Sequence, residues 1–379
     1  MPVVTCIEDL RELSRKRIAR AIFDYVDRGS YAEATLRANR ADLELLTLRQ
    51  RVGIDVDSRS TRATMLGQQV TMPVALAPVG LTGLNWADGE ILAARAAERF
   101  GVPFTLSTMS ICSIEDVAGA VTKPFWFQLY VMRDRGFAAS LIERAKAAGC
   151  SALVLTLDLQ IQGQRHRDLK NGLAVPPRLT AATFFDVLRK PAWALNVLRG
   201  KRKSFGNLEG RIPDAKSLTT LSQWIAGQFD PTLSWKDVEW VKKLWGGKLV
   251  LKGILDAEDA KIAAQSGVEA LVVSNHGGRQ LDGTLSSIRA LPEIAAAVGE
   301  RLEVWLDGGI RSGQDVLRAL ALGARATLIG RAYVYGLGAM GEPGVALALE
   351  LIRRELDVTM ALCGLRDVSE ASPAILRTA

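Results

Sequence analysis

Histidine and cysteine are scarce in this chain. Among 379 residues there are two histidines, His166 and His276, and four cysteines, Cys6, Cys112, Cys150 and Cys363. Two imidazoles do not make a multi-histidine metal centre, so no metal is expected. The cysteines are scattered with no CxxC pair, which argues against a disulfide frame or a zinc site, and no CxxCH motif for attached haem occurs. No run of eighteen apolar residues exists, and Met1 to Arg20 is charged throughout with no secretory apolar stretch. Both absences point to a protein that stays in the cytoplasm. Missing too is the GxGxxG turn that a dinucleotide-binding sheet carries after its first strand; Ala77-Pro78-Val79-Gly80 is not that turn.

Short apolar runs, each followed by an amphipathic helical stretch, fill most of the chain. They are 74–78, 103–107, 125–130, 152–158, 249–254, 270–275, 303–307 and 326–330, with helical patterns such as 88–100, 137–148, 257–265 and 312–322 between them. Near-continuous apolar strands alternating with helices mean a parallel sheet. Eight such units predict a (β/α)8 TIM barrel, with a doubly wound sheet as the alternative. A long gap from Gln160 to Gly247 is an insertion after strand four. Ahead of the barrel, Thr5-Cys6-Ile7-Glu8 fits a capping box, and Ile18, Ile22 and Tyr25 continue at helical spacing toward Gly29. The whole of 1–379 is expected to be one domain.

In such a barrel the chemistry sits where the strands end. Those ends carry Ser107, Gln128 with Tyr130, Thr156 with Asp158, Lys252, Ser274 with His276, Asp307, and Gly330 with Arg331. A histidine there can act as a general base, and Gly277-Gly278 would let a ligand approach the backbone. Arg279 and Arg165 can each hold a carboxylate through two parallel hydrogen bonds. Asp307 is a candidate to orient His276. Lys252, alone at the end of an apolar strand, needs an anionic partner. The glycines and arginines of Asp307-Gly308-Gly309-Ile310-Arg311 and Ile329-Gly330-Arg331 suit a phosphate, so a phosphorylated cofactor is expected. His166, in Gln-Arg-His-Arg-Asp, reads as a surface residue.

The segment Ser274-Asn275-His276-Gly277-Gly278-Arg279-Gln280-Leu281-Asp282 is the most specific signature of a known family. With Phe127-Gln128-Leu129-Tyr130, Leu155-Thr156-Leu157-Asp158, Leu251-Lys252-Gly253 and 307–311, it makes the chain resemble the FMN-dependent L-2-hydroxy acid oxidising family from about residue 5 to 365. The resemblance implies FMN as cofactor and conversion of an L-2-hydroxy acid to a 2-oxo acid. It implies His276 as base paired with Asp307, a substrate carboxylate held by Arg165 and Arg279 with Tyr25, and Tyr130 near the substrate hydroxyl. Ser107, Gln128, Thr156 and Ser274 would contact the flavin ring or its ribityl chain. Pro78, Val79 and Gly80 would line its other side, Lys252 would sit at its pyrimidine edge, and Gly309, Arg311, Gly330 and Arg331 would bind its phosphate. A homotetramer is also implied. Gly80 stands where oxidases of the family tend to carry alanine, which favours a dehydrogenase over a peroxide-forming oxidase. Gln160 replaces a proline common in the family, so the substrate side chain stays open. L-lactate is the leading expectation, with L-mandelate as the alternative.

The net charge is +7, and 176–213 holds eight Lys/Arg against two Asp/Glu. Within it, Phe184, Phe185, Leu188, Trp193, Leu195 and Leu198 interleave with basic residues. Such a stretch can lie on anionic lipid. Docking through 178–212 on the inner face of the cell membrane is therefore expected, with quinone or a cytochrome as electron acceptor. No nucleic-acid-binding module accompanies the patch, so nucleic acid is not an expected partner.

Overall fold

A computed structural model describes residues 3–173, 180–209, 224–225 and 227–377. Eight short parallel strands form its centre: β1 (Val74–Leu76), β2 (Thr105–Ser107), β3 (Trp126–Leu129), β4 (Ala152–Thr156), β5 (Lys248–Ile254), β6 (Ala270–Val273), β7 (Glu303–Asp307) and β8 (Ala326–Ile329). They pair in chain order from β2 to β8, and β8 pairs with β1. A parallel bridge between Leu76 and Phe104 closes the ring, with the Leu76 amide donating to the Pro103 carbonyl at 2.9 Å. The expected (β/α)8 barrel is the observed architecture.

Alternate strand residues divide the core in two. Ala75, Trp126, Val154, Val250, Val272, Trp305 and Leu328 fill the barrel, and their neighbours face the surrounding helices. The Trp126 and Trp305 rings stack at 5.2 Å. A small antiparallel hairpin, Ala63–Met65 with Gln68–Val70, plugs the N-terminal end of the barrel with Met65, Leu66 and Val70. The Glu303 carboxylate accepts from the Leu66 amide and from the Trp305 indole, both at 3.1 Å, locking plug to barrel. With that end closed, the cleft opens at the other.

The N-terminal pattern folds as two helices, Ile7–Arg17 and Arg20–Asp27, because Ile18 leaves the helical region (ψ 160°). The Arg20 amide that begins the second helix donates to Asp186 of the insertion at 2.5 Å. The capping box uses Cys6 with Asp9, in place of Thr5 with Glu8. Of the expected insertion 176–213, residues 176–179 and 210–213 lie outside the described ones. Within it, helices Ala181–Leu188 and Pro191–Arg199 lie against the start of the chain and against residues 84–88. The Trp193 indole donates to the Leu84 carbonyl at 3.0 Å, and Asn196 accepts from the Ala87 amide at 2.9 Å.

Candidate active site

At the C-terminal mouth, the strand ends enclose one deep cleft. Pro78, Val79, Gly80, Ser107, Tyr130, Thr156, Lys252, His276, Asp307, Gly309, Arg311, Gly330 and Arg331 all line it, together with Tyr25, Arg165 and Arg279. Gln128 and Ser274 are buried one layer beneath. The Gln128 amide bridges two strands: its oxygen accepts from Ser107 Oγ and its nitrogen donates to Thr156 Oγ1, each at 3.1 Å. His166 lies outside the cleft, exposed and edge-on to Tyr31.

The structure corrects the partner of His276. Its Nδ1 lies 2.9 Å from Asp158 Oδ1, not against Asp307. Asp307 is the last residue of β7 and sits deeper, where its Oδ2 is 2.7 Å from Lys252 Nζ and accepts from Ser274 Oγ at 2.7 Å. Asp158 and His276 both lie beyond their strands, one layer higher. Gly253 makes room for that pair. It forms a bulge in β5 with φ +102°, and a Cβ there would stand 2.6 Å from the Asp158 carboxyl carbon. Gly253→Ala should therefore push Asp158 off the imidazole and lower kcat about 10²-fold, the effect of an ångström-scale misplacement; steady-state rates on flavin-loaded protein measure it.

His276 itself has φ +58°, a left-handed conformation uncommon outside glycine. Its amide donates to Ser274 Oγ at 3.0 Å. The preceding Asn275 forms a reciprocal amide pair with Asn39, both bonds 2.8 Å, and also accepts from the Gly278 amide. Gly278 serves packing, since a Cβ there would meet the Leu36 backbone at 2.6 Å, while Gly277 lines the cleft, with a Cβ there 2.8 Å from Arg331. Asn39, Asn275 and Arg40, which donates to the Gly309 carbonyl at 2.5 Å, were not visible as site residues in the sequence.

Electrostatics tune these groups. Burial lowers the His276 pKa below 6.5, outweighing the opposite pull of Asp158. Burial and the Asp158 charge push the Tyr130 phenol up, so it stays protonated, with its oxygen 3.5 Å from His276 Nε2. Burial would raise Asp307, but the Lys252 ammonium and the Ser274 hydroxyl hold it below its ordinary value. Among the described residues, five cations, Arg165, Lys252, Arg279, Arg311 and Arg331, line the cleft with Asp307 as the one lining carboxylate. Burial, then the nearby Arg165, bring Arg279 down to about 10. Such a donor set calls for anions, and a phosphate at one end with a carboxylate at the other satisfies it. Arg331 is also anchored, donating to the carbonyls of Val26, Gly277 and Arg28 at 2.7 to 3.0 Å.

Comparison with known proteins agrees with this geometry. Residues 14–378 match the FMN-dependent dehydrogenase family model. An L-lactate dehydrogenase of Caulobacter vibrioides is 51% identical over 375 residues, covering 99% of this chain and 98% of its own. One from Vibrio parahaemolyticus is 46% identical over 371 residues, covering 98% of each. Among solved structures, the monotopic membrane protein (S)-mandelate dehydrogenase superposes with a TM-score of 0.95 at 37% identity, covering all of both chains. The chain belongs to the FMN-dependent dehydrogenase family, and FMN is its cofactor.

Proposed function

We propose that residues 1–379 act as one L-lactate dehydrogenase, forming pyruvate and passing the electrons to quinone or a cytochrome at the membrane. The carrying observation is that the His276–Asp158 pair and the two clamp arginines, Arg165 and Arg279, open into one cleft. The names of the full-length relatives favour lactate as the substrate.

In this reading Arg165 and Arg279 hold the substrate carboxylate, with Tyr25 beneath them; the Arg279 guanidinium carbon lies 4.7 Å from the Tyr25 ring centroid. Asp158 accepts a hydrogen bond from the protonated Nδ1 of His276, which leaves the Nε2 lone pair facing the substrate. His276 Nε2 then takes a proton, and Asp158 stabilises the resulting imidazolium. Tyr130 donates from the same side. Bound FMN supplies the two-electron acceptor. Ser107, Thr156 and Lys252 would hold its ring, backed by Gln128 and Ser274, with Pro78–Gly80 on the other face and Gly309, Arg311, Gly330 and Arg331 at its phosphate.

Anaerobic bleaching of the flavin across L-lactate, L-mandelate and glycolate tests the assignment. L-lactate should give the highest kcat/KM; a clear preference for L-mandelate would replace it. Molecular oxygen as sole acceptor should yield little peroxide, as the dehydrogenase reading requires.

The membrane reading rests on the insertion. Phe184, Phe185, Leu188, Leu195 and Leu198 are exposed on its two helices, beside Arg189, Lys190, Arg199 and Lys201. No described helix is long and apolar enough to cross a membrane. Lying flat on an anionic inner leaflet buries that apolar face and pairs its cations. The triple change Phe184→Ser, Phe185→Ser and Leu188→Ser should lower partitioning onto anionic vesicles by at least about tenfold. Cosedimentation measures it, and unchanged partitioning sinks the proposal.

A further inference from the structure

Gln280 lies in the signature segment but does not line the cleft. It is 8% exposed, and its side-chain amide is fully engaged. Nε2 donates to the carbonyls of Asp158 at 2.7 Å and Ile161 at 2.9 Å, while Oε1 accepts from the Gly163 amide at 3.1 Å. All three partners belong to the loop that leaves β4. That loop carries Asp158, the cleft residues Leu159 and Gln162, and Arg165. Gln280 itself follows Arg279, and its own carbonyl accepts from Ser30 Oγ at 2.7 Å. Gly163 packs directly on its backbone, where a Cβ would meet the Gln280 carbonyl at 2.7 Å. One side chain thus staples the loop bearing the orienting carboxylate to the loop bearing the base.

We propose that Gln280 is a positioning residue of the reaction, which keeps Asp158 in register with His276 Nδ1 and keeps Arg165 opposite Arg279. The reason is geometric. Asp158 lies beyond the end of β4, so no ladder hydrogen bond fixes its carbonyl; the Gln280 amide does. Its carboxylate has Oδ1 on His276 and no hydrogen-bond partner for the buried Oδ2 among the described residues, so no second hydrogen bond fixes that side chain in direction. Losing the staple lets the carboxylate turn away, and the imidazolium loses its counter-charge.

The inference rests on the reading of His276 as base and Asp158 as its partner, so the test separates the two. Gln280→Met, nearly equal in volume, and Gln280→Glu, which keeps the acceptor but loses both donations, are made in the wild-type and Asp158→Asn backgrounds. Each protein is assayed as flavin-loaded enzyme with whichever of L-lactate and L-mandelate the wild type oxidises. Either single Gln280 variant should lower kcat about 10–100-fold, as loss of a supporting hydrogen-bond partner does. In Gln280→Met, which adds no charge, the acid limb of the pH profile should move lower, because the imidazolium is less stabilised. In the Asp158→Asn background, the same change should lower kcat by less than about threefold, because its partner's work is already gone. Equal losses in both backgrounds, or an unmoved acid limb, would overturn the positioning role and leave the base assignment standing. Asp158→Asn with undiminished kcat would overturn both.

Discussion

Replacing His276 by glutamine should lower kcat by about 10²–10⁴-fold, the share that a positioned general base supplies. Glutamine can still accept from Tyr130 and donate to Asp158, so the cleft keeps its shape while the lone pair that takes the proton is lost. FMN absorbance and substrate KM should stay near wild type, because neither the five lining cations nor the strand-end hydroxyls change. The wild-type pH profile carries a linked expectation. As the proposed base His276 would work unprotonated, and burial lowers its pKa, so the acid limb of activity should lie below pH 6.5. An acid limb centred above 6.5 would count against His276 as the base. So would rapid flavin bleaching by the glutamine variant.

Arg279→Met should lower kcat/KM for the hydroxy acid by roughly 10²–10⁴-fold, corresponding to about 3–5 kcal/mol for breaking a buried charge pair. Its guanidinium is buried beside Arg165 and over the Tyr25 ring, and it also donates to the Tyr25 and Arg28 carbonyls. That crowding keeps the cation planar against the ring and aimed into the cleft. Lysine should not restore activity, since a single ammonium cannot repeat two parallel hydrogen bonds while anchoring two carbonyls. If the clamp reading holds, most of the loss appears as a raised KM, with a smaller fall in kcat from poorer alignment. A methionine variant with unchanged KM for every 2-hydroxy acid would remove Arg279 from substrate binding.

Much of this site could be read from the sequence because a barrel converts strand ends into neighbours. Lys252, Ser274, Asp307 and Arg331 lie 22 to 33 residues apart in sequence, yet each stands within two residues of the end of a strand. The pairing of His276 was not readable. Which carboxylate faces it depends on height above the barrel, and Asp307 ends its strand a layer below Asp158. The bulge at Gly253 that admits Asp158 leaves no periodic trace. Nor does the polar staple at Gln280 or the amide pair of Asn39 with Asn275, since their partners are backbone groups or lie far along the chain. The plug hairpin escaped because strands of three residues are too short to show alternation.

Arg331 follows the last strand of the barrel, and all three of its anchors lie elsewhere: Val26 and Arg28 in the N-terminal helical segment and Gly277 beside His276. During synthesis the Val26 and Arg28 carbonyls therefore wait for Arg331, about 300 residues later, before they find these donors. No amino-terminal fragment can assemble the cleft, and cofactor capture becomes a late event that reports completed closure. FMN bound by the closed chain and not by the open one would pull the folding equilibrium toward closure.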